Sequence, residues 1–122
     1  MGQEFYFENL EVYKKGIKLA HDIYEITKSF PDKEVFGLTS QIRRAAVSIA
    51  LNIAEGSARS KKEFLHFLDI SRGSVFEVVS IFDIVLKEEY VSQEIHSTIK
   101  LKLEEISKMI SGLKRSLRSS NE

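Results

Sequence analysis

Apolar residues recur three and four positions apart almost throughout the chain, and strand-like alternation is missing. Punctuation is sparse: one proline, Pro31, and no Asn-Gly or Asp-Gly pair that would signal a hairpin. The pattern predicts an all-α chain of four helices. The first covers about residues 9–29, with Leu10, Tyr13, Ile17, Ala20 and Tyr24 in one line and Val12, Leu19, Ile23 and Ile26 beside it. Phe30-Pro31 stops it, because proline pushes the preceding residue out of the helical region. After a turn at Asp32-Lys33-Glu34, the second helix covers about residues 35–58, with Gly56 near its end. Ser60-Lys61-Lys62-Glu63 reads as a capping box opening a third helix of about residues 60–87. Glu88-Glu89-Tyr90-Val91 turns the chain, and Ser92 caps a fourth helix of about residues 92–117. Short links make sequence neighbours spatial neighbours. The expectation is an antiparallel up-down-up-down four-helix bundle forming a single domain over 1–122.

The helices differ in how much they must hide. In the fourth, Ile95, Ile99, Leu103, Ile106, Ile110, Leu113 and Leu117 form one stripe opposite Lys, Glu and Ser. The second adds Val47, Ala50, Leu51 and Ala54 to its main line of Leu38, Ile42, Ala46, Ile49 and Ile53. The third carries Phe76, Val79, Ile81 and Leu86 besides Phe64, Phe67, Leu68, Val75, Val78, Phe82 and Val85. A helix apolar around most of its circumference needs cover on more than one side. Each large side chain is worth roughly 1.5–3 kcal/mol when buried. Self-association through helices two and three is therefore expected, the alternative being a monomer with a thick core. Within this apolar material runs a polar ridge, Gln41, Arg44, Ser48, Asn52 and Glu55, with Arg72, Ser74 and Glu77 facing it from helix three. The ridge is either a ligand-binding cluster or a structural network fixing helix register. Nothing in it resembles an activated nucleophile or an acid–base pair.

Composition narrows the function. At 122 residues, 43% hydrophobic and 30% charged, the chain is globular, and no apolar run approaches the ~20 residues of a membrane span. The absence of cysteine removes disulfides, thiolate nucleophiles and cysteine zinc sites. It fits a cytoplasmic protein, as does an opening, Met1 to Tyr6, with neither the basic start nor the apolar stretch of a secretory signal. Glu63-Phe64-Leu65-His66 is the single Glu-x-x-His match, whereas a carboxylate-bridged di-iron bundle needs two such motifs. His21, His66 and His96 lie on different helices among charged neighbours and read as solvated. Gly56-Ser57-Ala58-Arg59-Ser60-Lys61 lacks the spacing of a phosphate loop. No enzyme, metal, cofactor or small-molecule substrate is indicated.

Charge supplies the better lead. Lys+Arg and Asp+Glu number 18 each, so any attraction to a polyanion must come from a local patch. Between Arg43 and Lys62 stand Arg43, Arg44, Arg59, Lys61 and Lys62 against Glu55 alone. Between Lys108 and Arg118 stand Lys108, Lys114, Arg115 and Arg118 with no acid. In an up-down bundle the ends of helices two and four coincide, so Arg59, Lys61 and Lys62 share a rim with Arg115 and Arg118. The candidate nucleic-acid contacts are these five with Arg43 and Lys114; ordinary solvated charge is the alternative. No exposed aromatic platform is evident beside them.

Several strings resemble one family. They are Phe7-Glu8-Asn9-Leu10-Glu11-Val12, Gly37-Leu38-Thr39-Ser40-Gln41-Ile42-Arg43-Arg44-Ala45-Ala46, Asn52-Ile53-Ala54-Glu55-Gly56 and Arg72-Gly73-Ser74. In register, they resemble the 23S rRNA intervening-sequence proteins over about residues 7–117. The resemblance implies a bacterial four-helix bundle assembling as a ring-like homopentamer, with no catalytic residue to transfer. A related bundle, the accessory protein of diversity-generating retroelements, is associated with nucleic-acid binding. Ala50 departs from the proline many members carry after Ser-Ile, and Ser57-Ala58-Arg59 lacks a common second glycine. The combined expectation is a non-enzymatic oligomer contacting RNA or a ribonucleoprotein through its basic rim; the alternative is a protein-interaction scaffold with no nucleic-acid role.

Overall fold

The computed structural model describes residues 5–120, and these form four helices with no strand among them. Helices α1 (Glu11–Thr27), α2 (Leu38–Ser57), α3 (Lys61–Lys87) and α4 (Gln93–Arg118) run up, down, up and down. Each packs on its sequence neighbour, and α4 closes the bundle against α1; the α2–α3 contact is the most extensive. Leu19 and Ile23 of α1, Ile42, Ile49 and Ile53 of α2, Leu68, Val75, Val78 and Phe82 of α3, and Leu103, Ile106 and Ile110 of α4 fill the core.

Two short 3-10 turns displace the helix starts from where periodicity alone puts them. Tyr6–Asn9 is such a turn, closed by Leu10 N donating to Phe7 O at 3.0 Å, so α1 begins at Glu11 rather than near 9. Asp32–Glu34 is another, and α2 begins at Leu38 rather than near 35. Glu34 explains that second delay: its Oε1 accepts the Leu38 amide at 3.2 Å, doing what a capping side chain at Gly37 cannot. The Ser60 box forms as the sequence suggests, with Glu63 N donating to Ser60 Oγ at 3.2 Å and Ser60 N to Glu63 Oε1 at 3.4 Å. Ser92 Oγ accepts from Ile95 N at 3.1 Å and opens α4.

The end of α3 is less ordinary. Tyr90 N donates to Val85 O and Glu89 N to Leu86 O, both at 2.9 Å, the pair of bonds that makes a Schellman stop. The residue at its left-handed position is Glu89, with φ 64, where glycine is the usual occupant. At the other end of α2, Gly56 is buried against α3. A Cβ there would lie 2.5 Å from Phe67 Cβ and 3.0 Å from Phe64 Cδ1. Glycine at this position is what lets the two helices approach so closely.

The apolar surplus of α2 and α3 is not absorbed by the bundle. Leu51, Ile70, Phe76 and Ile84 stay exposed, as does Phe36 in the turn before α2, at 97% exposure. His96 departs from expectation in the opposite direction. It is buried, its ring stacks on Phe82 at 5.7 Å, and Nε2 lies 2.8 Å from Asp83 Oδ1. It occupies the first inward position of the α4 stripe, which runs 96, 99, 103, 106 and 110, and leaves Ile95 half out in solvent.

Candidate nucleic-acid interface

Antiparallel packing decides which charges meet. The end of α2, the start of α3 and the end of α4 share one end of the bundle. Lys61 Nζ donates to Ser120 O at 2.9 Å, a direct tie between the start of α3 and the segment leaving α4. Lys62, Arg115 and Arg118 are exposed at this end. The dipole of α3 adds positive character there, offset in part by the Glu63 carboxylate of the capping box.

The remaining candidates are spoken for or lie elsewhere. Arg59 pairs with Glu55 at 2.5 Å and lies 5.3 Å from the Phe67 ring, and the Glu55 carboxylate pushes its guanidinium further toward the protonated form. Lys114 is buried and bonds Asp69 across the α3–α4 contact. That bond, more than anything else, holds the Asp69 carboxyl below the usual aspartate range, with Arg118 and Arg72 adding to it. Lys114 is thus a structural cation, not a phosphate contact. Arg43 stands in the second turn of α2, about 24 Å from Arg59 along the helix axis at 1.5 Å per residue. There its guanidinium covers the Tyr24 ring at 4.5 Å, and Nε donates to Thr27 Oγ1 at 2.8 Å. It lines the far part of a groove of about 830 Å³ that runs along α2 from Asp32 to Glu55, the partner of Arg59.

The polar ridge separates in the same way. Ser48, Asn52 and Ser74 form one network: Ser48 Oγ and Ser74 Oγ are 2.9 Å apart, and Asn52 Nδ2 donates to Ser48 Oγ and Ser48 O at 2.8 Å each. Ser71, which sequence reading passed over, joins α3 to α2 by donating to Ile49 O at 2.8 Å. Gln41, Arg44 and Glu77 are exposed and line a separate hollow of about 410 Å³ with Phe36. Arg72 reaches over the Phe76 ring at 5.6 Å with its Nε buried and without a bond. The connected part pins α2 to α3 and holds no titratable group.

Among the described residues no three His, Asp or Glu side chains gather as a metal set, and no helix is long and apolar enough to cross a membrane. Glu63 is engaged in its capping box.

Two aromatic residues also stand at this end. Phe5 and Tyr6 are 68% and 60% exposed, and their turn packs on α1 and α2. Since it precedes the first residue of α1, it lies at the end where α2 finishes, which is the end of the basic rim. An exposed aromatic pair therefore shares this end of the bundle, on the α1 and α2 side, while Lys62, Arg115 and Arg118 stand on α3 and α4.

The chain is a closed antiparallel four-helix bundle with a hydroxyl–amide seam between α2 and α3. The chain belongs to the 23S rRNA-intervening sequence protein family, whose family model matches residues 8–112. That is the family to which the string from Asn52 to Gly56 points. No functionally curated protein matches the chain. Its structure is similar to the crystal structure of a protein of unknown function from the S23 ribosomal protein family of Bacteroides thetaiotaomicron. The two share 25% identity and a TM-score of 0.78, covering 84% of this chain and 97% of that one.

Proposed function

We propose that the protein is a non-enzymatic, self-associating bundle that contacts RNA, alone or within a ribonucleoprotein, through the basic end formed by α3 and α4. The observation that carries this reading is the junction at Lys61 and Ser120, which ties the start of α3, with exposed Lys62, to the segment leaving α4, with exposed Arg115 and Arg118. Self-association is supported by Leu51, Ile70, Phe76 and Ile84, apolar side chains left uncovered on α2 and α3. Five copies is the number the family resemblance implies. The same exposed side chains also support a second reading, a scaffold for other proteins.

Phosphate contacts release counterions, so affinity falls with salt in proportion to their number. Replacing Lys62, Arg115 and Arg118 together with Glu is expected to abolish RNA retention in a gel shift while leaving the assembly mass unchanged in sedimentation. Retention equal to that of the unaltered protein rejects the basic end as the contact. Partners captured from lysate that survive nuclease treatment favour the scaffold.

A further inference from the structure

The basic end carries more than charge. Phe5 stacks on Phe7 with ring centroids 5.7 Å apart and planes 8° from parallel, and Phe7 meets Tyr13 of α1 edge-on at 4.9 Å. Tyr13 packs against the core, so the row is anchored to the bundle. Phe5 is its outer, wet member, and Tyr6, next in the chain, is exposed as well. Two carboxylates of the same stretch of chain are engaged: Glu8 Oε1 accepts the Phe5 amide at 2.7 Å, and Glu11 pairs with Lys14 at 3.4 Å. Helix axes about 10 Å apart place diagonal corners of such a bundle roughly 14 Å from each other. A strand of a few nucleotides spans that distance.

We propose that this end binds unpaired nucleotides, with bases stacked on Phe5 and Tyr6 and the backbone tracked by Lys62, Arg115 and Arg118. The inference rests on the proposed RNA contact and narrows it to single-stranded segments such as loops, bulges and ends. A base has an accessible π-face only when it is out of a duplex, so an aromatic surface selects single strands where cations alone do not. Exposure of an aromatic ring is not sufficient. Phe36 is more exposed than either, yet it sits at the opposite end beside Asp32 and Glu34, with Glu88, Glu89 and Glu94 around the same end. Those five carboxylates outnumber Lys33, Arg43, Arg44 and Lys87 at the same end, so it attracts a polyanion less than the rim does.

The test compares two probes at low salt, a single-stranded oligouridine and a blunt RNA duplex of equal length, by fluorescence anisotropy. The pair Phe5→Ala and Tyr6→Ala is expected to weaken oligouridine binding at least about fivefold and to leave duplex binding unchanged. Tyrosine emission is expected to be quenched on adding oligouridine, and Tyr6→Ala alone to lose part of that quenching. Oligouridine affinity unaltered by the double variant, or an equal loss for both probes, overturns the stacking surface. So does a changed assembly mass in sedimentation, which makes the aromatics a contact between copies. Lys62→Glu, Arg115→Glu and Arg118→Glu combined is expected to weaken both probes. If that charge reversal changes neither while the aromatic pair still matters, the basic end fails and the stacking surface survives. If the unaltered protein binds neither probe, both fall.

Discussion

The closeness of α2 and α3 can be tested at one atom. In Gly56→Ala the new Cβ is placed 2.5 Å from Phe67 Cβ, an atom fixed to the α3 backbone that cannot swing aside. Carbon atoms reach favourable contact only near 3.5–4.0 Å, so the start of α3 must retreat by roughly 1 Å. Overpacking of this kind costs about 1–3 kcal/mol. Against it stands the greater helix propensity of alanine, at most about 1 kcal/mol and less in a last turn. The balance is a loss of about 1–2 kcal/mol. For a chain of this length that lowers Tm by about 3–10 °C. Gly73→Ala supplies the control: it is exposed in the middle of α3, and a Cβ there meets nothing within 4 Å. The same chemical change should raise stability there by about 0.5–1 kcal/mol. Thermal unfolding followed by circular dichroism reads both. If Gly56→Ala and Gly73→Ala move Tm in the same upward direction, the α2–α3 approach described above is wrong.

Two further outcomes follow from the same structure. Glu89→Gly removes a left-handed side chain at φ 64 at the cost of a looser unfolded chain, for a net gain of about 0.5 kcal/mol and a small rise in Tm; a fall in Tm contradicts the stop described at the end of α3. Acid acts through two carboxylates. Lys114 holds Asp69 below the usual range, and for Asp22 burial pushes the value up but Lys102 at 2.7 Å and Lys18 at 3.3 Å bring it down overall. Both release protons more readily folded than unfolded. Their contribution is therefore complete above the ordinary aspartate value near 3.9 and is lost as pH falls through the lower folded values. Tm should drop below about pH 4, and Asp22→Asn with Asp69→Asn should flatten that drop; an unchanged slope assigns the acid sensitivity elsewhere.

The bundle was legible because its signals are local. Ser60 with Glu63, Phe30 before Pro31 and the α4 stripe each depend on residues within a few positions, and such spacing survives into three dimensions. Partnership across helices is a different matter. Lys114 was counted among the phosphate contacts because nothing adjacent neutralises it, whereas Asp69 lies 45 residues away on the facing helix. A signal was present all the same: Lys114 follows Ile106 and Ile110 on the buried side, where a charge must find a partner. His96 fits the same stripe at its other end and was misread for the same reason. Arg43 was grouped with Arg59 by sequence proximity, although a helix of twenty residues separates its two ends by more than the width of the bundle. Phe5 and Tyr6 lie before the first periodic segment, and no spacing rule could place their turn against α1 and α2. The polar ridge was read as one unit; burial divides it, since Ser48, Asn52 and Ser74 lie at the helix seam while Gln41, Arg44 and Glu77 lie outside it.

Equal numbers of positive and negative groups conceal a direction. From Asp83 to Glu94 the acids Asp83, Glu88, Glu89 and Glu94 outnumber Lys87, while from Lys108 to Arg118 there is no acid at all. The two stretches sit at opposite poles of a rod. If the proposed RNA contact holds, a strand drifting toward the acidic pole is deflected, and one arriving at the other is drawn in. Ionic screening over about 8 Å at physiological salt confines that torque to the last moments before contact. Neutrality on average leaves the molecule able to choose which way round it is met.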